Sequence, residues 1–301
     1  MVAKTKQGCF TRSLAPGLLI LLWLLPLGLV KESFAEDFED LDRLSDVELI
    51  DLYIESQQDL LRDSQVDQSN LVAPGRTLVQ LGYTYTTQRE SSGLRYSTHT
   101  LPDLLIRHSI LPRLELRGGW GGTTIDRLSD SPSGVVDVEN HLLNPSLGLR
   151  FRLWQQDGVI PQSSVTVSTP VDLDGNTGFL SRLTPQLACG YSWMLGRRWL
   201  LAGSTGAVWT RGYTLAGDEN RYLDLQQSLS IDWLVNERWS LYGQWTALFP
   251  EGNRIADIGH SLGPGVSAPL GRRMQLDSSL AFGVDRDSPD VAVQVFLSRR
   301  F

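Results

Sequence analysis

The sequence predicts an all-β fold: a transmembrane antiparallel up-and-down β-barrel of about twelve strands, with an N-terminal α-helix ahead of it. Three observations predict it. From Thr77 onward apolar residues recur at every second position, the turns alternate between short and long, and the final segment, Val291-Ala-Val-Gln-Val-Phe-Leu-Ser-Arg-Arg-Phe301, alternates up to an aromatic carboxyl terminus. A period of two sends successive side chains to opposite faces of a strand. Only one of those faces meets lipid in a barrel, so a hydrophobic content of 41% is compatible with life in a membrane.

Residues 1–35 have the layout of a secretory leader. Lys4, Lys6 and Arg12 form a basic head, Leu18 to Val30 an apolar stretch, and Ser33-Phe34-Ala35 a small-x-small exit, which places cleavage after Ala35. Pro26 breaks the stretch and Lys31 ends it, so it falls short of the roughly 20 residues of a spanning helix. Cys9 precedes the apolar stretch and the exit has no cysteine, which argues against a lipid anchor.

Residues 36–75 are acidic and nearly free of glycine, and they predict a periplasmic helical segment. Ser45 can cap the helix with Glu48 reaching back to it. Val47, Ile50, Ile54 and Leu61 form a stripe at helical spacing, and Pro74-Gly75 closes the segment. A short coiled coil, a plug in the lumen or a disordered segment are the other forms such a stretch can take.

The barrel occupies 76–301. Its first strand, 77–87, sets Val79, Leu81, Tyr83 and Tyr85 against Gln80, Gly82, Thr84 and Thr86. Strands follow at about 98–110, 114–121, 144–154, 160–169, 183–195, 199–209, 222–235, 239–249, 256–268, 274–283 and 291–301. Short turns at 111–113, 155–158, 195–198, 235–238 and 270–273 alternate with longer polar loops at about 88–96, 122–141, 170–180, 210–221, 250–255 and 284–290. Outer-membrane barrels keep short turns in the periplasm and long loops outside. An even strand count then puts both the helical segment and Phe301 in the periplasm. Closure has a physical cause, since backbone groups facing hydrocarbon must all be paired and an open sheet leaves an unpaired edge. Trp120, Tyr191, Trp193, Trp199, Trp209, Trp233, Trp239, Trp245 and Tyr83 fall mostly toward strand ends, as headgroup girdles do.

The chain carries 27 basic and 34 acidic residues; the leader takes Lys4, Lys6, Arg12, Lys31 and Glu32 with it, leaving a formal charge near −10. Nucleic acid is an unsuitable partner for such a chain. Every basic side chain after Lys31 is arginine, which stays charged when partly buried and pairs bidentately with carboxylate or phosphate. Cys189 alone survives processing, so no internal disulfide and no thiol metal cluster is expected.

Twelve strands enclose a narrow lumen, between the filled interior of eight and the aqueous channel of sixteen. The inward face carries Asp103, Arg107, Glu115, Arg117, Arg150, Arg152, Gln186, Asp224, Asp232, Gln244, Asp257, Gln275 and Asp277. Facing charges of both signs can form a constriction that screens small solutes, or ion-pair ladders that fill the lumen.

Catalysis finds little support. A twelve-stranded outer-membrane phospholipase works with a Ser-His-Asn set, but none of His99, His108, His141 and His260 has that family's following residues. His108-Ser109 and His260-Ser261 are neighbours on a strand and point to opposite faces, so neither pair can share a proton. There is no HExxH and no CxxC, and Asp172-Leu-Asp-Gly-Asn176 lacks the downstream glutamate of a calcium loop. No metal, cofactor or enzyme activity is expected.

Several words of the sequence form a recognisable set: Gly82-Tyr-Thr-Tyr85, Leu101-Pro-Asp-Leu-Leu-Ile-Arg107, Arg113-Leu-Glu-Leu-Arg-Gly-Gly-Trp120, Tyr191-Ser-Trp193, Gly203-Ser-Thr-Gly206, Leu248-Phe-Pro-Glu-Gly252, Met274-Gln-Leu-Asp277 and Ser298-Arg-Arg-Phe301. Over about 77–301 the chain resembles the family of outer-membrane transporters named for the meta-pathway of phenol degradation. The resemblance implies a barrel in the outer membrane of a diderm bacterium that moves small solutes, aromatic or otherwise hydrophobic. Outer-membrane lipid and lipopolysaccharide are its expected surroundings. The barrel assembly machinery is the expected reader of Val293, Val295, Leu297 and Phe301. Arg299 departs from the usual ending, which has an aromatic or apolar residue there.

Overall fold

The computed structural model describes residues 69–89, 93–130, 134–171, 184–196, 198–213, 219–236, 239–250, 259–271, 273–285 and 288–301. The leader, its cleavage after Ala35, the helix over 44–61 and Asp257 lie outside these residues.

Fourteen strand segments form one antiparallel sheet: β1 (Thr77–Arg89), β2 (Leu94–Leu111), β3 (Leu114–Trp120), β4 (Thr123–Asp130), β5 (Gly134–Leu142), β6 (Pro145–Trp154), β7 (Gln162–Pro170), β8 (Gln186–Leu195), β9 (Trp199–Tyr213), β10 (Glu219–Asn236), β11 (Trp239–Pro250), β12 (Gly259–Pro269), β13 (Met274–Gly283) and β14 (Val291–Arg300). β1 pairs with β2 on one side and with β14 on the other, from Leu78↔Arg300 to Thr87↔Val291, so the sheet closes. β2 pairs with β3 over Leu104–Leu111 and with β4 over Leu94–Leu101, while β3 pairs with β6 and β4 with β5. Thus β3 and β4 are one barrel strand interrupted at Gly121-Gly122, and β5 and β6 are another. The result is a closed barrel of twelve strands.

That continuity corrects one expectation. Across residues 122–141, expected as a long polar loop, Thr123–Asp130 and Gly134–Leu142 pair as β4 and β5 and prolong the barrel wall. Gly122, at φ 62°, packs against the backbone of Leu101 and Pro102 and allows the strand to restart.

Burial is inverted relative to a soluble domain. The buried side chains are mainly polar, among them Arg107, Glu115, Arg150, Ser164, Ser228, Gln275 and Ser298. Leu116, Leu149, Phe151, Ile231, Leu241, Leu262 and Phe282 are exposed. Alternation sorts the two classes, with hydroxyls, amides and charges turned into the bore and branched or aromatic groups turned out, as hydrocarbon demands.

One end of the barrel gathers the short turns with Thr77 and Phe301, whose backbones exchange two hydrogen bonds. This is the turn end; the opposite end carries the long connections. Trp199 and Trp233 stack at the turn end with ring centroids 5.9 Å apart, and Trp239 and Trp154 are exposed there too. Trp245 and Phe249 meet His260 toward the loop end. The Arg299 guanidinium lies 5.0 Å from the centre of the Phe301 ring, so the residue that departs from the usual ending covers the terminal aromatic.

Candidate functional site in the lumen

Two compartments follow one another inside the barrel. At the turn end, Ser69 to Ala73 run as an extended strap inside the bore; no helical turn is present in these five residues. The chain doubles back at Pro74-Gly75, where the Gly75 N–H donates to Ser109 O (2.8 Å) and the Arg76 N–H to Ala73 O (3.0 Å). Leu71 and Val72 are buried, and Val72 packs with Leu78 as a small apolar cluster.

The strap is held by the inward residues of β2, β3 and β6. Arg107 grips Glu115 with two donors, Nε to Oε1 and Nη2 to Oε2, both 2.9 Å. Glu115 Oε2 also accepts the Val72 N–H at 2.8 Å. The Asn70 carbonyl accepts from Arg107 Nη2 (2.7 Å) and from Arg150 Nη1 (2.9 Å). Arg150 Nε donates to Thr166 Oγ1 (2.9 Å), and Arg117 Nε stands 3.9 Å from Glu115 Oε1. Farther around the wall, Gln162 Nε2 donates to the Asn70 side chain and Ser69 Oγ meets Ser192 Oγ at 2.6 Å. Five consecutive barrel strands, β2, β3, β6, β7 and β8, therefore hold three of the five strap residues, Ser69, Asn70 and Val72. Bidentate, charge-assisted contacts of this kind are the strong ones. With Arg107, Glu115 and Arg150 at most 1% exposed, water does not weaken them.

On the loop side of this cluster lies a cavity of about 470 Å³. Its lining comes from nine of the strands and mixes apolar surface with neutral polar groups: Gln80, Gln186, Gln244, Gln294, Ser146, Thr246, Ser261 and Ser279. Asp103 and Arg117 are its charged members, and Leu105 and Phe296 add apolar surface. Thr246 Oγ1 and Ser261 Oγ are 2.6 Å apart and Ser279 Oγ donates to Gln294 Oε1 (3.3 Å), so much of the lining is organised in cross-strand pairs. The volume is within the roughly 300–1,000 Å³ of small-molecule sites.

The inward residues expected from the sequence divide among these compartments. Arg107, Glu115, Arg117 and Arg150 come together around the strap, and Asp103, Gln244 and Arg117 line the cavity. Asp224, Asp232 and Asp277 are buried on the opposite wall, where Ser230 Oγ donates to Asp232 and Gln275 Nε2 to both oxygens of Asp277. Arg152 is half-buried, and its Nε, out of solvent, has no hydrogen-bond partner. Sequence reasoning allowed a plug in the lumen within 36–75 without singling out Ser69–Ala73, and it set Gln80 on the polar face of the first strand without naming it among the lumen residues. Leu71-Val72, an apolar pair immediately before Pro74-Gly75 in a hydrophilic stretch, was the available signal for the strap.

Comparison with known proteins agrees with this architecture. A family model described as "Putative MetA-pathway of phenol degradation" matches residues 62–301. The chain belongs to that family. Among solved structures, the COG4313 outer membrane channel from Pseudomonas putida F1 superposes with a TM-score of 0.57 at 15% identity, covering 78% of this chain and 98% of that one. The NanC porin gives 0.48 at 10% identity over 74% of this chain and 98% of its own. A monoaromatic hydrocarbon channel, CymD, gives 0.44 at 10% identity over 82% and 97%. At these identities the first likeness speaks for the fold of this family member and the other two carry no argument. No curated protein sequence matches the chain.

Proposed function

We propose that this member of the phenol-degradation family is an outer-membrane channel for small solutes, aromatic or otherwise hydrophobic ones among them, with a strap that closes its periplasmic mouth. The observation that carries the reading is the 470 Å³ cavity inside a closed barrel, floored by Arg117 and the Glu115 cluster. A barrel built only as a surface scaffold has no need of a compartment that sets amides and hydroxyls beside apolar surface. The COG4313 structure, an outer membrane channel, agrees with it.

In this reading the turn end faces the periplasm, the β4–β5 hairpin stands on the cell surface, and the outward girdles meet lipid and lipopolysaccharide. Val293, Val295, Leu297 and Phe301 on β14 serve the assembly machinery, which finds Phe301 exposed. Solute enters the cavity from outside and rests above the strap. It passes when the strap yields its hold on Arg107, Glu115 and Arg150. Passive flow needs no cofactor.

The strap also gives weight to a second reading, a filled barrel whose surface hairpin binds partners. Swelling of liposomes carrying the purified protein separates the two. A channel admits small solutes faster than protein-free liposomes do, and Arg117→Ala or Arg150→Ala changes the rate. A filled barrel gives no swelling with any of the three proteins.

A further inference from the structure

The cavity wall formed by β1, β2 and β14 has a chemistry of its own. Gln80 lines the cavity and is 5% exposed, and its Oε1, out of solvent, meets no donor. Among the described residues, no hydrogen bond or ion pair reaches the Asp103 carboxylate, which lines the same cavity. These two acceptors are neighbours across the β1–β2 pair, where Gln80 is opposite Leu105 and Gly82 opposite Asp103. Beside them the Phe296 ring lies over Gly82, where a Cβ would come within 2.2 Å of a ring carbon; the missing side chain is what lets the ring sit there. Leu105 completes an apolar shelf.

An amide oxygen and a carboxylate without donors, set next to an aromatic face, call for a ligand that brings donors and positive charge. A buried acceptor left unmet is costly, and an aromatic face attracts a cation. A neutral hydroxyl would serve Gln80 and leave the Asp103 charge uncompensated; an anion would be repelled by it. Arg117, the cation of the lining, is four strand positions nearer the turn end by its pairing with Arg107, or about 13 Å along the strand. It stands beside Glu115 rather than Asp103.

We propose that Gln80, Asp103 and Phe296 form a binding subsite for small organic ammonium solutes, the ammonium held by Gln80 Oε1 and the Asp103 carboxylate and the apolar body lying on Phe296 and Leu105. The inference deepens the channel reading by giving its cavity a preferred cargo, yet binding can be measured without flux.

The test is calorimetric titration of the full-length protein in detergent with 2-phenylethylammonium, 2-phenylethanol and phenylacetate, each corrected by titration into empty micelles. The ammonium should bind about tenfold more tightly than the alcohol and phenylacetate weakest of all. Asp103→Asn should remove that advantage while leaving the alcohol unchanged, and Gln80→Leu should weaken the ammonium several-fold. The folded state of each variant is read from its heat-dependent shift on a denaturing gel, and Phe296→Leu provides a further arm should a polar variant not fold. Equal affinity for the three probes, a preference for phenylacetate, or an unchanged titration in folded Asp103→Asn would overturn the subsite. Ammonium preference without liposome swelling would retain the subsite and remove the channel; swelling without ammonium preference would do the reverse.

Discussion

The two compartments of the lumen handle polar groups in opposite ways. Around the strap, Glu115 accepts from two arginine nitrogens and a backbone N–H, and the Asn70 carbonyl takes two guanidinium donors. In the cavity, Gln80 Oε1 is left without a donor. A region whose buried groups satisfy one another is a seal, because nothing is gained by admitting another molecule. A region with unmet acceptors gains from a ligand. Seal and receptacle meet at Arg117, which lines the cavity and stands beside Glu115.

The harshest way to break this contrast is to remove the carboxylate that organises the seal. Glu115→Ala leaves Arg107 and Arg150 buried without their shared anion and the Val72 N–H without its acceptor; losing one partner of a buried pair costs about 3–5 kcal/mol. The temperature at which the folded gel band disappears should fall markedly, and the strap should become open to protease. A variant as heat-resistant and protease-resistant as the parent would show that the cluster is not what holds the strap.

Gly82→Ala attacks the receptacle. The new Cβ would collide with the Phe296 ring, a strain of about 1–3 kcal/mol if the ring must leave its position. The expected result is a modest fall in stability and a clear fall in affinity for aromatic solutes, with strap protection untouched. Loss of strap protection instead would mean that the two compartments are not separate.

The gentlest change is Gln162→Ala, which deletes the contact to the Asn70 side chain and a long one to Ser69 O (3.4 Å) and keeps the arginine grip on the Asn70 carbonyl. A net contribution of about 0.5–1.5 kcal/mol is typical of one such bond. Hydrogen exchange at Asn70 and Leu71 should quicken several-fold while the barrel strands exchange as before. Unchanged exchange would remove β7 from the hold on the strap and leave it to β2, β3, β6 and β8.

What the sequence disclosed follows from what a period of two encodes. Alternation told which side chains face the bore, and Arg107, Glu115, Arg150, Asp232 and Asp277 are all buried as that pattern requires. It could not tell which of them meet, because partners such as Glu115 and Arg150 are brought level by the shear between strands. The β4–β5 hairpin escaped because Thr123-Thr-Ile-Asp-Arg-Leu-Ser-Asp130 has no continuous oily face. A strand beyond the bilayer needs none, and pairing alone keeps it extended. The strap escaped for a different reason. Five residues are too short for any period, and the groups of the strap that meet the charged side chains are the backbone carbonyl of Asn70 and the N–H of Val72, which every sequence possesses.

The direct test of the gate is to tie the strap in place. Ser69 Oγ and Ser192 Oγ are 2.6 Å apart, near enough for a disulfide of ~2.05 Å after replacement of both by cysteine. Cys189→Ser removes the remaining thiol of the barrel. Current through this Ser69→Cys/Ser192→Cys protein in a planar bilayer should be absent when oxidised and appear on reduction. Equal current in the two states would contradict the strap as the gate.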